Sequence, residues 1–211
     1  MKTDWEARRE IVAFGAKVYR KGLVAATDGN ISLRIFEDRI MITPSGSCLG
    51  SLNIEDLAYV DMSGQLLAGR VKPSSELPMH IEIFRKRPDV SAIIHAHPPL
   101  ATAFTVAGKS ISQPVLPEVF VMFGQIPVAP YAPPSTPESV QAISGLIEKN
   151  DVILLDHHGA VTVGKSLDEA FLKMEKLEHT ASTLLAAEQL GQINPLSAAE
   201  IEKLKQLYGK T

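Results

Sequence analysis

Apolar positions change their spacing several times along the chain, and each change marks an element. Over residues 4–21 they recur at helical intervals, with Trp5, Val12, Ala16 and Tyr19 on one side, Asp4 placed to cap the start and Gly22 to end the helix. Two β-rich runs follow, residues 31–36 and 39–43, and the Glu37-Asp38 step between them predicts a hairpin. "LAYVDMSGQLLAG" predicts a second hairpin, turning at Ser63-Gly64.

Helix and strand periods then alternate. "PSSELPMHIEIFRKRPD" predicts a helix capped near Ser74, with Leu77, Ile81 and Phe84 on one face. "VSAIIHAH" has the apolar run of a strand, and Pro98 and Pro99 end it because proline cannot donate to a ladder. A helix begins near Pro137, and "DVILLDHHGAVTVG" reads as a strand, a short polar break and another strand. Ser166 with Glu169, and Ser197 with Glu200, have capping-box spacing; they open a helix to about Leu190 and a last helix ending at Gly209. Early hairpins and later helix–strand units predict an α/β fold, a largely antiparallel central sheet covered by helices on both sides.

With 211 residues, 45% of them hydrophobic, the chain can fill one sizeable core, and no composition break divides it, so a single domain over residues 1–211 is expected. A net charge of −3 with dispersed cations gives no footprint for nucleic acid. The basic residues Arg85, Lys86 and Arg87 suit the C-terminal turn of a helix. Cys48 is the only cysteine, so an internal disulfide is excluded and the residue reads as a small core side chain. The charged N-terminus lacks a signal core and no apolar run is long enough to span a membrane, which together predict a cytoplasmic protein.

Histidine carries the candidate chemistry. His95 and His97 stand at i and i+2 of a strand, so their side chains leave the same face, as two ligands of one metal must. Asp156-His157-His158-Gly159 follows a second apolar strand; one imidazole of that pair can join them, and three neutral imidazoles with an open position suit catalytic zinc. Glu76 lies at a helix start, where it can be a fourth ligand, an acid/base or a favourable charge on the dipole. Ser74, Ser75 and the turns "TDGN" and "TPSG" offer hydroxyl and backbone donors to a phosphate. His80, one turn after Glu76, reads as a local hydrogen-bond partner, and His179 as a surface or interface residue.

"TDGNISLR", "MITPSG", "KPSSELPMH", "IIHAHPP", "APYAPPST" and "LLDHHGAVTVG", in this order across nearly the whole chain, closely resemble the class II aldolase/adducin family. The resemblance implies zinc held by His95, His97 and His158, although the donor types alone also suit other divalent transition metals. It implies Glu76 as the acid/base and an occasional metal ligand, a phosphate grip from Gly29, Asn30, Ser45, Gly46, Ser74 and Ser75, and a catalytic place for Tyr208. The implied reaction is retro-aldol cleavage of a sugar phosphate, a ketose 1-phosphate of the L-fuculose or 5-deoxyribulose kind, to dihydroxyacetone phosphate and an aldehyde. The implied assembly is a homotetramer with active sites at subunit interfaces.

Alternatives within the family are a metal-dependent decarboxylase, epimerase or dehydratase, and a non-catalytic adducin-like interaction module. The three histidines with Glu76 argue against the module, and glutamate at position 76 argues against the epimerase, which has aspartate there. The chain departs from the aldolase pattern in "SISQPVLPEVF", where Leu116, with Glu118 close by, stands in place of a tyrosine; a leucine there favours a less polar aldehyde tail.

Overall fold

The computed structural model describes residues 3–209. Helix α1 (Asp4–Arg20) is capped one residue earlier than expected: Thr3 accepts from the Glu6 N–H, and the Glu6 carboxylate accepts back from the Thr3 N–H. Its buried stripe is also rotated from the expected face. Ala7, Ile11, Phe14, Gly15 and Val18 face the core, while Trp5 and Tyr19 are exposed. The reason is Gly15, where a Cβ would come within 2.8 Å of the Leu49 carbonyl oxygen, so the chain packs closely on that side.

The expected hairpins form as β1 (Asn30–Phe36) with β2 (Arg39–Ile42), and β3 (Ala58–Asp61) with β4 (Leu66–Ala68). Asp61 closes the second turn by accepting from the backbone N–H groups of Ser63 and Gln65. Helix α2 (Leu77–Lys86) starts three residues after Ser74, with Glu76 at its N-cap, and buries Leu77, Ile81 and Phe84 as expected. Strand β5 (Ala92–Ala96) stops just before His97. The proline pair that ends it also opens a helix, α3 (Pro99–Val106), because proline suits a first helical turn.

The second half contains α4 (Pro117–Phe123), β6 (Val128–Ala129), α5 (Pro137–Ile147), β7 (Val152–Leu155), β8 (Gly159–Gly164), α6 (Leu167–Leu190) and α7 (Ala198–Tyr208). Ser197 and Glu200 complete a capping box on α7, and Gly209 ends that helix in the left-handed conformation. At the start of α6 only half of the expected box forms. Ser166 accepts from the Glu169 N–H, but the Glu169 carboxylate turns to the Lys165 N–H and to the buried Lys173 ammonium.

The strands make one sheet in the order β4-β3-β2-β1-β5-β8-β7-β6, antiparallel except for the β6–β7 pair. This is the expected fold class. Helices α1, α3, α4 and α6 cover one face over a core that includes Ile31, Ile94 and Leu154. Helices α2 and α5 cover the other over Ile93, Ile153 and Val161. Strand β5 lies between β1 and β8, and its carboxyl end carries the histidines. No helix among the described residues is long and apolar enough to cross a membrane.

Candidate active site

The ladder places the first histidine. His95 lies opposite Asn30 on β1 and Val161 on β8, so all three side chains leave the α2 face of the sheet. His97 lies just past the strand, held by its N–H to the Leu23 carbonyl, and its ring comes back over His95 at 4.9 Å between centroids. His158 arrives from the turn between β7 and β8 with its ring 4.8 Å from each of the others. Of the adjacent pair it is His158 that joins. His157, left-handed at φ 56°, turns outward to Asp156 and the Tyr131 ring.

Gly159 makes the approach feasible. A Cβ there would lie 2.5 Å from the Ala96 carbonyl oxygen and 2.7 Å from His97 Cδ2. Gly29 does the same on the other flank, with φ 76° and a would-be Cβ 2.8 Å from the His95 carbonyl oxygen.

The ligand atoms of His95, His97 and His158 all lie within 4.8 Å of one another. His95 Nδ1 is 3.0 Å from the Ala160 carbonyl oxygen and donates to it, which turns the Nε2 lone pair toward the shared centre. Asp28 Oδ2, 3.5 Å from His97 Nδ1, is placed to do the same for His97. Burial, and then the positive charge drawn to His95, lower the His97 pKa to about 4 and push His158 down as well, so both favour the neutral form that binds metal. Burial also acts to lower His95, but the adjacent Glu76 carboxylate leaves its pKa raised.

Glu76 completes the group, with Oε2 3.1 Å from His95 Nε2 and Oε1 3.8 Å from His158 Nε2. Burial opposes its ionisation, yet His95, the Asn30 amide and His158 outweigh that and hold the carboxyl well below the usual carboxylate range. Three imidazole nitrogens and an anionic carboxylate converge on one point, and a divalent ion there would take the place of the proton that Glu76 draws to His95. The donor set therefore fits a divalent metal ion.

Behind Glu76 runs a buried polar chain. Asn30 Nδ2 is 2.8 Å from Glu76 Oε2, Asn30 Oδ1 is 2.5 Å from His80 Nε2, and His80 Nδ1 is 2.6 Å from the Ser32 hydroxyl. His80 is thus no local partner of its own helix turn; its side chain reaches across to β1.

The phosphate candidates fall into one region. Pro44 bridges Pro73, the Ser45 N–H donates to the Lys72 carbonyl and the Ser74 N–H to the Thr43 carbonyl, which together lay the "TPSG" turn beside Ser74 and Ser75. Ser45, Gly46 and Ser75 are exposed and Ser74 is buried. The Asn30 carboxamide is engaged by Glu76 and His80, so its contribution to an anion site would come from the Gly29-Asn30 backbone. Ser135, left-handed at φ 63°, adds a hydroxyl that donates to Ser75 Oγ at 2.8 Å. Nothing in the residue pattern of "APYAPPST" singles it out.

Other candidates lie elsewhere in the chain. Tyr208 is exposed and lines a groove of about 830 Å³ together with Glu118, Met122, Leu172 and His179, a groove that none of the three clustered histidines lines. Leu116 is the N-cap of α4 and packs on the core, and the Glu118 carboxylate accepts from Lys176. Cys48 is half-buried beside the turn Leu49–Ser51 rather than in the core.

Residues 9–185 match the family model described as Class II Aldolase and Adducin N-terminal domain, and the chain belongs to that family. Two curated relatives show how its chemistry branches. An L-fuculose phosphate aldolase of Methanococcus vannielii is 39% identical over 173 residues, 82% of this chain and 92% of its own. A 3-oxo-tetronate 4-phosphate decarboxylase of Pectobacterium atrosepticum is 34% identical over 210 residues, 97% of this chain and 94% of its own. The crystal structure of YgbL from Escherichia coli superposes with a TM-score of 0.89 at 32% identity, over 97% of this chain and 100% of that one.

Proposed function

We propose that this chain is a zinc-dependent lyase that cleaves a ketose 1-phosphate between C3 and C4, releasing dihydroxyacetone phosphate and an aldehyde. The observation that carries the reading is the Glu76 carboxylate, ionised and nearly buried, held against His95 and His158 of the three converging imidazoles and next in sequence to Ser75. His95, His97 and His158 would hold the ion. Bound there, zinc supplies a Lewis acid that stabilises negative charge on the carbonyl side of the breaking bond.

The protein groups do the rest. Ser74, Ser75 and the Gly46 turn grip the phosphate and fix the sugar's orientation. The ionised Glu76 carboxylate takes up the C4 hydroxyl proton as the C3–C4 electron pair passes to the three-carbon fragment, and the proton it then holds is the one it delivers to C3. Active sites of a homotetramer would bring Tyr208 of one subunit toward a neighbouring site.

A second reading is favoured by the decarboxylase relative, whose match extends over 97% of this chain against 82% for the aldolase. Loss of carbon dioxide from a 3-oxo-tetronate 4-phosphate leaves the same three-carbon carbanion, so Glu76 would protonate the same carbon and only the departing group differs.

The test is product analysis with zinc-loaded protein on L-fuculose, L-rhamnulose, 5-deoxyribulose and methylthioribulose 1-phosphates and on 3-oxo-tetronate 4-phosphate. Dihydroxyacetone phosphate with an equivalent of aldehyde, reduced about 10²-fold or more by Glu76→Gln, is expected. Carbon dioxide without aldehyde would transfer the chain to the decarboxylases. No product from any of the five, with zinc bound, would overturn both readings.

A further inference from the structure

The hydrogen bonds behind Glu76 can run in only one direction. The Asn30 amide nitrogen lies 2.8 Å from Glu76 Oε2 and donates to it. Its carbonyl oxygen therefore faces His80, and His80 Nε2 must be the donor across that 2.5 Å contact. The proton of a neutral imidazole being placed on Nε2, Nδ1 is left as an acceptor, and Ser32 can only donate to it.

Ser32 and His80 have no accessible surface and Asn30 almost none, so water cannot substitute for any link. If the His80 N–H were lost, the Asn30 amide could turn over. Its carbonyl oxygen would then face the Glu76 carboxylate, two acceptors in contact.

We infer that His80 is a positioning residue: through Asn30 it holds the Glu76 carboxylate in the orientation from which it meets His95 and His158. The chain reads Ser32 O–H to His80 Nδ1, His80 Nε2–H to Asn30 Oδ1, and Asn30 Nδ2–H to Glu76. It joins the third residue of β1 to the fourth of α2, so packing of the helix on the sheet and alignment of the carboxylate are one event. The consequence for turnover rests on the acid/base role proposed for Glu76; the direction of the chain does not.

Two measurements test it. In long-range proton–nitrogen spectra of zinc-loaded protein labelled with ¹⁵N-histidine, His80 should appear as the neutral Nε2–H tautomer. An Nδ1–H tautomer or a doubly protonated ring would overturn the inference whatever the reaction proves to be. In parallel, His80→Leu, His80→Asn and His80→Gln are compared for kcat, KM, zinc content and Tm on the substrate that the unaltered protein turns over.

A glutamine amide can reach the place of Nε2 and donate to Asn30, whereas the shorter asparagine reaches only the Ser32 side. The leucine and asparagine variants should lose about tenfold or more in kcat, with zinc content and KM within about twofold. Glutamine should restore most of that loss. Equal losses in all three variants, in step with Tm or zinc content, would reduce His80 to a structural residue. If the leucine variant does not fold, the asparagine and glutamine pair decides. Full turnover by Glu76→Gln would instead sink the acid/base role, leaving the spectra to decide the direction of the chain.

Discussion

Gly159 carries no side chain, and the space beside it leaves room for none. Its position against the Ala96 carbonyl and the His97 ring means that even a methyl group must push the strand end or the imidazole aside. The backbone carbonyl is locked in the β5–β8 ladder, so the ring is what moves. Gly159→Ala should cost about 1–3 kcal/mol of stability, as overpacking does, and should weaken zinc binding more than it lowers Tm in chelator. Zinc titration of the two proteins beside their melting curves checks this. Unchanged zinc affinity would show that His97 takes no part in holding the ion. The shared side of His95 and His97 was readable from the sequence, because it follows from spacing alone. His80 was not readable in that way. Its partners are fixed by how α2 lies across β1, 48 and 50 residues away in sequence, and helical periodicity reports only that a turn is buried.

Between elements, the proposed anion cradle is a contact of two turns, one before α2 and one before α5. Ser75 and Ser135 meet through their hydroxyls, and Ser135 holds a left-handed φ to get there, at a cost of about 1–2 kcal/mol for a residue with a Cβ. Strain of that kind persists where something else uses the geometry. If both hydroxyls face the substrate phosphate, Ser75→Ala and Ser135→Ala should each raise KM about tenfold or more, the worth of one hydrogen bond to a charged group. The double variant should raise it by less than the product, because the two act as a pair. Independent effects, or an unmoved KM, would remove Ser135 from the site. The same scale explains what the hydrophobic pattern concealed. A short helix such as α3, opened by the prolines that end a strand, looks like a break. The buried face of α1 is set by a glycine against a neighbouring turn rather than by its two large aromatics, which lie exposed near the ends. The hairpins and the cap of α7 were legible because their signals are complete within a few residues.

For the whole molecule, the interface of α2 with the sheet makes one histidine a determinant of acid stability. His80 is enclosed between them, and burial, reinforced by positive charge at His95 and opposed by the Glu76 carboxylate, lowers its pKa to about 3 from the ordinary 6.5. An unfolded chain therefore binds a proton at this position over a range in which the native chain does not. The difference in bound protons favours folding at higher pH, so the contribution of His80 is complete above about 6.5 and is lost progressively as the pH falls toward 3. The slope for one group is roughly 1 kcal/mol per pH unit. Urea unfolding between pH 4 and 8, with a chelator present so that loss of metal does not contribute, should show this slope as the difference between the unaltered protein and His80→Gln. Glutamine starts less stable at pH 8 and the gap narrows in acid, because it has no proton to take up. Because Ser32 and Asn30 enclose the ring from β1, charging it breaks the contact between helix and sheet rather than a surface turn, so the loss should appear as a single cooperative transition. Parallel stability curves for the two proteins would mean that the ring can take up its proton without opening that interface.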